Sequence, residues 1–166
     1  MTVSRMRLLL ALCFMLALSV IPLPNPLEWF RPLWVLMFML YWQASIPKGC
    51  SVAFICLAGL ALDALNIGVM GQHACALLLT VWIASKDAQR FRLLGIGHQM
   101  LRLVFLCFIY QFVLLLTGFF FGYPTYFLSN LLPIVTTVLF WPWMQLLADR
   151  IFLTFSIKSS ISSSRV

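Results

Sequence analysis

The most distinctive chemistry in this sequence belongs to a single carboxylate inside an apolar stretch. Asp63 lies in the run 59–71, GLALDALNIGVMG, and it is the only acidic residue between Glu28 and Asp87. Placing an ionised carboxylate in a membrane helix costs roughly 2.5 to 3.5 kcal/mol, so such a side chain normally faces protein. We therefore expect Asp63 to lie against another helix or a partner protein.

Three roles are compatible with Asp63: a structural clamp, an ion pair with Arg31 or a partner's cation, and a transported-ion site. Asp63 lies roughly 6 Å, about one turn at 1.5 Å per residue, from the end of its predicted helix. A turn containing Gly68 and Gly71 follows. The first amides of the next helix carry partial positive charge and can donate hydrogen bonds to the carboxylate. The clamp is favoured, because ion-coupling sites usually lie at the membrane midplane among several polar groups.

Arg31 and His73 are the other polar residues with a candidate role near Asp63. Arg31 directly precedes Pro32, which suits the first turn of a helix because its missing N–H leaves no hydrogen bond unmade. The positive end of that helix dipole opposes the Arg31 charge. We expect an anion to offset it, supplied by Glu28, Asp63, a lipid phosphate or a partner protein. His73 is interpreted as a polar packing residue rather than a ligand.

Catalytic and metal-binding patterns are absent from the sequence. It has no nucleophile paired with a base, no phosphate-binding glycine loop and no cluster with metal-ligand spacing. The cysteines stand singly in apolar segments and are interpreted as small buried hydrophobic residues. They are Cys13, Cys50, Cys56, Cys75 and Cys107. We therefore expect no enzymatic activity, no metal ion and no cofactor.

Composition indicates that the chain is a membrane protein. Hydrophobic residues make up 63% and charged residues 9% of the chain, and its mean hydropathy is +1.03. A soluble domain is about 25% charged. At about 20 residues per span, the 166 residues hold about six transmembrane helices and no separate aqueous domain. The predicted fold is an all-α bundle of six transmembrane helices, and a soluble catalytic domain is excluded.

Turn residues and apolar runs divide the chain into one six-span domain, 1–155, and a flexible serine-rich cytoplasmic tail, 156–166. The spans are predicted at about 8–21, 33–46, 50–67, 72–85, 101–121 and 129–147, and 93–100 is predicted to lie along the membrane surface. Of the 11 Lys and Arg residues, all except Arg31 then fall on one side with both termini. Because positive charge collects on the cytoplasmic side, both termini are predicted to be cytoplasmic. The net charge of +7 needs no nucleic acid partner.

Helical spacing predicts that the third and fourth spans pack closely through small or polar faces. These faces consist of Cys56, Gly59, Asp63 and Asn66 in the third span, and of His73, Ala76, Thr80 and Ala84 in the fourth. Tyr41 and Trp42 are predicted to lie in an aromatic belt at the membrane interface. Pro142, between Trp141 and Trp143, is predicted to kink the sixth span.

Three stretches, in their order and spacing, resemble the MreD family of bacterial rod shape-determining membrane proteins, in particular its gammaproteobacterial form. They are RPLWVLMFMLYW at 31–42, GLALDALNIGVMG at 59–71 and FWPWMQLLADR at 140–150. The resemblance covers nearly the whole chain and is weakest in the fifth span and the tail. It maps onto Arg31, Pro32, Tyr41, Trp42, Gly59, Asp63, Gly68, Gly71, Trp141, Pro142 and Trp143.

The resemblance implies a non-enzymatic inner-membrane subunit that joins MreC, the actin-like MreB, and the RodA glycosyltransferase with its penicillin-binding transpeptidase during cell elongation. It also implies a fold similar to the substrate-binding subunits of energy-coupling-factor transporters. Membrane lipids are further expected partners. The alternative is a small-molecule-binding transporter subunit, indicated by the span count and by the polar set Cys56, Asp63, His73 and Thr80.

Overall fold

The part of the chain that the structure describes contains six α-helices and no β-strand. The computed structural model describes residues 2–20, 30–45, 51–66, 70–88, 94–122 and 127–163, and side chains within 9–20, 30–45, 51–66, 70–88, 94–122, 131–148 and 150. The helices are α1 (Thr2–Val20), α2 (Trp34–Ser45), α3 (Val52–Asn66), α4 (Gln72–Ser85), α5 (Ile96–Phe120) and α6 (Phe127–Ser163).

Helix α2 lies at the centre of the bundle. Nine consecutive residues, from Val35 to Gln43, are buried, so every face of the helix contacts protein. Neighbours that pack against it include α1, α4 and α6. A helix that is apolar all round is typical of such a core position.

The aromatic belt predicted at Tyr41 and Trp42 is wrong, because both side chains lie in this core. They are 4% and 5% exposed, and Trp42 packs against Phe38 with ring centroids 6.2 Å apart. An aromatic pair near a helix end suits a membrane interface and a protein interior equally well. The enclosure of α2 by its neighbours decides between them.

Helices α3 and α4 form an antiparallel hairpin whose backbones touch. A Cβ built on Gly59 would lie 2.2 Å from Cα of Ala74, so a residue without a side chain is required at this crossing. The predicted packing through small faces is confirmed in part. Asn66 is exposed, whereas the buried members of the two faces are Gly59, Asp63, Ala76 and Thr80.

Two of the described helical segments are long and apolar enough to cross a membrane. They are α5, with 25 residues, and Leu131–Ala148 within α6, with 18 residues. Helix α2 has 12 residues, about 18 Å at 1.5 Å per residue, against a hydrocarbon core of about 30 Å. The described part of the chain is therefore all-α with two candidate spans, and the six-span topology with cytoplasmic termini stays a prediction.

Two helices extend beyond the predicted spans. Helix α5 begins at Ile96 rather than near residue 101, because the Gly95 carbonyl accepts hydrogen bonds from the N–H groups of His98 and Gln99. Helix α6 continues to Ser163, through most of the predicted flexible tail. Serine costs less than about 0.7 kcal/mol per residue in a helix, and no glycine or proline follows Pro142 to end it.

Gly59→Ala is expected to lower the free energy of unfolding by about 1–3 kcal/mol, because the added Cβ forces α3 and α4 apart. The matched control is Gly97→Ala on α5, where a Cβ meets no atom within 4 Å. Thermal unfolding of the two variants in the same detergent checks the prediction. Equal unfolding temperatures would contradict the close approach of the two helices.

Candidate functional site

The residues around Asp63 lie at one end of the bundle, which we call the Asp63 end. At this end α1, α3 and α5 approach their C-termini, and α2, α4 and α6 begin. A cavity of about 340 Å³ lies here, and all six helices contribute to its lining. The polar lining residues are Ser19, Arg31, Asn66, His73, Tyr110 and Gln111.

Asp63 accepts three hydrogen bonds from the start of α4. The Gly71 N–H donates to Oδ2 at 2.8 Å, and the His73 N–H donates to Oδ1 at 2.9 Å. The His73 ring nitrogen Nδ1 lies 2.8 Å from the same Oδ1. Because the Asp63 side chain is 0% exposed, these donors replace the water that the carboxylate loses on burial.

The contact with Asp63 orients the His73 ring. An ionised carboxylate only accepts hydrogen bonds, so Nδ1 of His73 carries the proton that it donates. This leaves Nε2 as the second ring nitrogen, on a side chain that lines the cavity. Tyr110 packs against the ring, with centroids 6.3 Å apart. The predicted role of His73 as a packing residue therefore omitted its main contact, the hydrogen bond to Asp63.

The glycine turn before α4 supplies the donors. Gly71 has φ 93°, in the left-handed region that favours glycine, and its N–H is aimed at the end of α3. The first N–H groups of a helix have no partner within the helix, and the positive end of the dipole favours a nearby carboxylate. Asp63 thus caps α4 from a different helix. Among the described residues, its partners are Gly71 and His73, not Arg31.

Arg31 and Pro32 precede α2 and line the same cavity. The next N–H group, that of Leu33, donates to Thr137 Oγ1 at 2.9 Å. The Thr137 hydroxyl in turn donates to the Pro133 carbonyl in α6. Thr137 therefore links the start of α2 to α6 through a single buried side chain.

The predicted Trp141-Pro142-Trp143 stretch lies in α6, away from Asp63. Trp141 is fully buried, whereas Trp143 is 75% exposed. The Trp141 Nε1 lies 3.5 Å from Gln99 Oε1, and Gln145 donates to that oxygen at 2.6 Å. This polar group joins the start of α5 to α6.

The structure brings together some of the residues predicted as a partner-binding or structural site. The members at the Asp63 end are Arg31, Pro32, Asp63 and Gly71. The members elsewhere are Gly59, at the α3–α4 crossing, Tyr41 and Trp42, in the core, and Trp141, Pro142 and Trp143, in α6. Gly68 lies outside the described residues. A role of these residues in partner contact stays a prediction.

Among the buried polar residues that sequence reasoning missed, Thr137 and Gln99 are the two that join helices. Spacing could have found the first, since Ile134, Thr137, Trp141 and Met144 recur at intervals of three or four and form the buried face of α6. Gln99 gave no such signal, because its segment was predicted to lie along the membrane surface before the fifth span.

Metal-ligand residues are dispersed in the described part of the chain, where no group of three or more His, Cys, Asp or Glu side chains could hold an ion. The prediction that cysteines are buried holds for Cys107, but Cys13 and Cys75 are exposed. An exposed thiol on an apolar helix behaves as a small hydrophobic group.

Asp63→Asn is expected to lower the free energy of unfolding by about 1–3 kcal/mol, because an amide nitrogen replaces one acceptor and leaves a buried N–H unpaired. The matched control is Asp87→Asn, which alters an exposed pair with Arg102 at 3.2 Å and should cost at most about 1 kcal/mol. Denaturant unfolding in detergent measures both. Equal losses would contradict the clamp.

Thr137→Val is expected to cost about 1–3 kcal/mol, because the Leu33 N–H loses its acceptor. Thr137→Ser keeps the hydroxyl and should cost less. Thr136→Val is the neighbouring control, since the Thr136 hydroxyl donates to carbonyls of its own helix. If Thr136→Val and Thr137→Val unfold alike, the link between α2 and α6 is not a stabilising contact.

Comparisons with known proteins identify the family. The family model described as rod shape-determining protein MreD matches residues 2–151. A curated relative, the Rod shape-determining protein MreD of Haemophilus influenzae (strain ATCC 51907 / DSM 11121 / KW20 / Rd), is 29% identical over 134 residues, which cover 81% of this chain and 83% of the relative. No solved structure matches the chain, so the likeness to energy-coupling-factor subunits stays a prediction. The chain belongs to the MreD family of rod shape-determining proteins.

Proposed function

We propose that this chain is a non-enzymatic, multi-pass subunit of the bacterial inner membrane that scaffolds the cell-elongation complex. Membership of the MreD family supports the coarser statement, a role in determining rod shape. The specific contacts are part of the proposal: MreC, the actin-like MreB, and RodA with its penicillin-binding transpeptidase.

The observation that carries the proposal is that Asp63 makes its hydrogen bonds within the chain. Both carboxylate oxygens accept hydrogen bonds from Gly71 and His73. A carboxylate that bound a coupling ion or acted as a catalytic base would need an oxygen directed at the ligand or substrate. Asp63 instead stabilises the shape of the α3–α4 turn, which is what a docking surface requires.

We propose that the Asp63 end faces outward and that residues 1–155 form one six-span domain with the tail 156–166 in the cytoplasm. Lys86 directly follows α4, and Arg102 lies in the second turn of α5. Both basic residues are therefore at the end of the bundle opposite Asp63. The positive-inside rule therefore favours an outward Asp63 end. MreC and the synthases would dock on that end and on helix faces that are exposed at the surface of the bundle.

Helix α5 offers such a face. Its exposed phenylalanines recur at near-heptad spacing, which suits either a partner helix or lipid. They are Phe105, Phe108, Phe112 and Phe119. Their exposure supports a surface role for the stripe rather than a role in the core of this chain.

The second candidate function is a small-molecule-binding transporter subunit, and the cavity at the Asp63 end favours it. Its volume of about 340 Å³ falls within the range of about 300–1,000 Å³ for ligand sites. The polar set that suggested this function is only partly directed at the cavity. His73 lines it, but the Thr80 hydroxyl donates to Ala76 O of its own helix. We rank this candidate second.

Arg31→Ala tests the scaffold in cells that depend on this chain for their shape. The variant is expected to round the cells and to reduce co-purification of MreC in mild detergent several-fold, while the chain accumulates at the parent level. The matched control is Arg102→Ala at the opposite end, whose partner Asp87 is exposed; it should retain MreC.

Rod-shaped cells with normal MreC recovery in the Arg31→Ala strain would refute docking at the Asp63 end. Native mass spectrometry of the purified parent chain separates the two candidate functions. A reproducibly bound soluble metabolite would favour the carrier. A chain that binds no soluble metabolite and needs MreC for stability would favour the scaffold.

A further inference from the structure

An open apolar groove lies between α3 and α4, towards the end of the hairpin opposite Asp63. The two helices touch where Gly59 meets Ala74. Beyond that contact, residues of both helices line a groove of about 630 Å³. Val52 of α3 and Trp82 of α4 form part of its walls, and both are exposed. An exposed apolar surface of this extent is typical of a binding site.

The length of the groove matches one leaflet of a membrane. Along α4 its lining extends from Cys75 to Ser85, about 15 Å at 1.5 Å per residue. The hydrocarbon core of a bilayer is about 30 Å thick, so that one leaflet supplies about half of it. An acyl chain that enters beside Ser85 can therefore lie along the whole groove.

A cation lies at the mouth of the groove. Lys86 directly follows Ser85, and its Nζ lies 4.0 Å from the centre of the Trp82 ring. This cation–π contact leaves the charge of the ammonium group in place, and its N–H groups can still donate to an anion. Tryptophan and lysine are both typical of the boundary between membrane and water. A lipid with an anionic headgroup fits an apolar groove that ends in such a pair.

The acidic residues of the chain do not offset this charge. No Asp or Glu is among the described residues that line the groove. Asp87 follows Lys86, but its carboxylate pairs with Arg102 at 3.2 Å. The segments that follow α2 and α4 in the sequence, 46–50 and 89–93, contain basic residues and no acidic one. The other acidic residues are Glu28, before α2, Asp63, at the opposite end, and Asp149, in α6, which contributes nothing to the described lining.

We propose that this groove binds an anionic phospholipid of the cytoplasmic leaflet. One acyl chain lies between α3 and α4, and the phosphate pairs with the Lys86 ammonium group. The inference rests on the proposed position of the chain, in which the end opposite Asp63 faces the cytoplasm, and not on docking of MreC. Recovery of MreC from cells tests the scaffold, whereas lipid binding to the purified chain tests the groove, so either can fail alone.

The exposed Cys75 thiol lines the groove and reports its occupancy. The Cys13 thiol is also exposed but lies on α1, and it serves as the internal control. The purified full chain in mild detergent is alkylated with N-ethylmaleimide, and mass spectrometry measures the reaction at each cysteine. Phosphatidylglycerol should slow alkylation of Cys75 at least fivefold and change that of Cys13 by less than twofold. Phosphatidylcholine with the same acyl chains should need about fivefold higher concentration for equal protection, because its headgroup has no net charge.

Lys86→Gln should raise the phosphatidylglycerol concentration needed to protect Cys75 about fivefold, whereas Lys86→Arg should stay within twofold of the parent. The matched control is Arg150→Gln, which removes one positive charge from an exposed residue of α6 and should also stay within twofold.

Equal losses in Lys86→Gln and Arg150→Gln would overturn the inference, because the lipid would then respond to overall charge and not to the groove. Equal protection of Cys75 and Cys13, or equal potency of the two lipids, would overturn it as well. If no lipid protects Cys75 but co-purified MreC or a high concentration of the chain does, the occupant is a protein and the lipid inference is wrong.

Discussion

The three hydrogen bonds between Asp63 and the start of α4 are the constraint on which the Asp63 end depends. A buried carboxylate is costly unless donors replace its water, and here the donors are N–H groups that a helix start leaves unpaired. The same hydrogen bonds therefore satisfy two sets of groups: the unpaired N–H groups at the start of α4, and the carboxylate oxygens that Asp63 buries. The left-handed φ of 93° at Gly71 aims one of these donors, and His73 contributes both backbone and ring.

Contacts elsewhere in the bundle fix the positions of the helices that meet at the Asp63 end. Gly59 lets α3 touch α4 at Ala74, which keeps Asp63 within reach of the turn. Helix α2 fills the centre, and its first turn is tied to α6 by Thr137. At the far end, Gln99 and Gln145 join α5 to α6. The polar contacts thus join helix ends, while apolar packing fills the space between them.

The sequence predicts the parts of this arrangement that depend on local pattern. Helix α4 ends where its apolar run ends, and the glycine turn after Asp63 predicts a carboxylate near unpaired amides. The features that the sequence did not predict depend on contacts between residues far apart in the chain. Tyr41 and Trp42 have the composition of an interfacial belt, but the burial of α2 is decided by its neighbours. Thr137 meets Leu33 across 104 residues, and nothing in either local sequence specifies that pair. The serine-rich segment has a disordered composition, yet it contains no residue that forbids a helix, and α6 continues through it.

For an MreD-family protein, the hydrogen bonds to both oxygens of Asp63 fit the proposed docking role better than a carboxylate that binds a transported ion. Amide hydrogen exchange of the parent chain in detergent, resolved by NMR at Gly71 and His73, tests the central claim most directly. If Asp63 clamps α4, both amides exchange slowly, at rates comparable to that of Ala76 in the second turn of α4. Exchange at both amides as fast as in an unstructured peptide would show that the hydrogen bonds to Asp63 are not maintained, and the account of this end of the bundle would then be wrong.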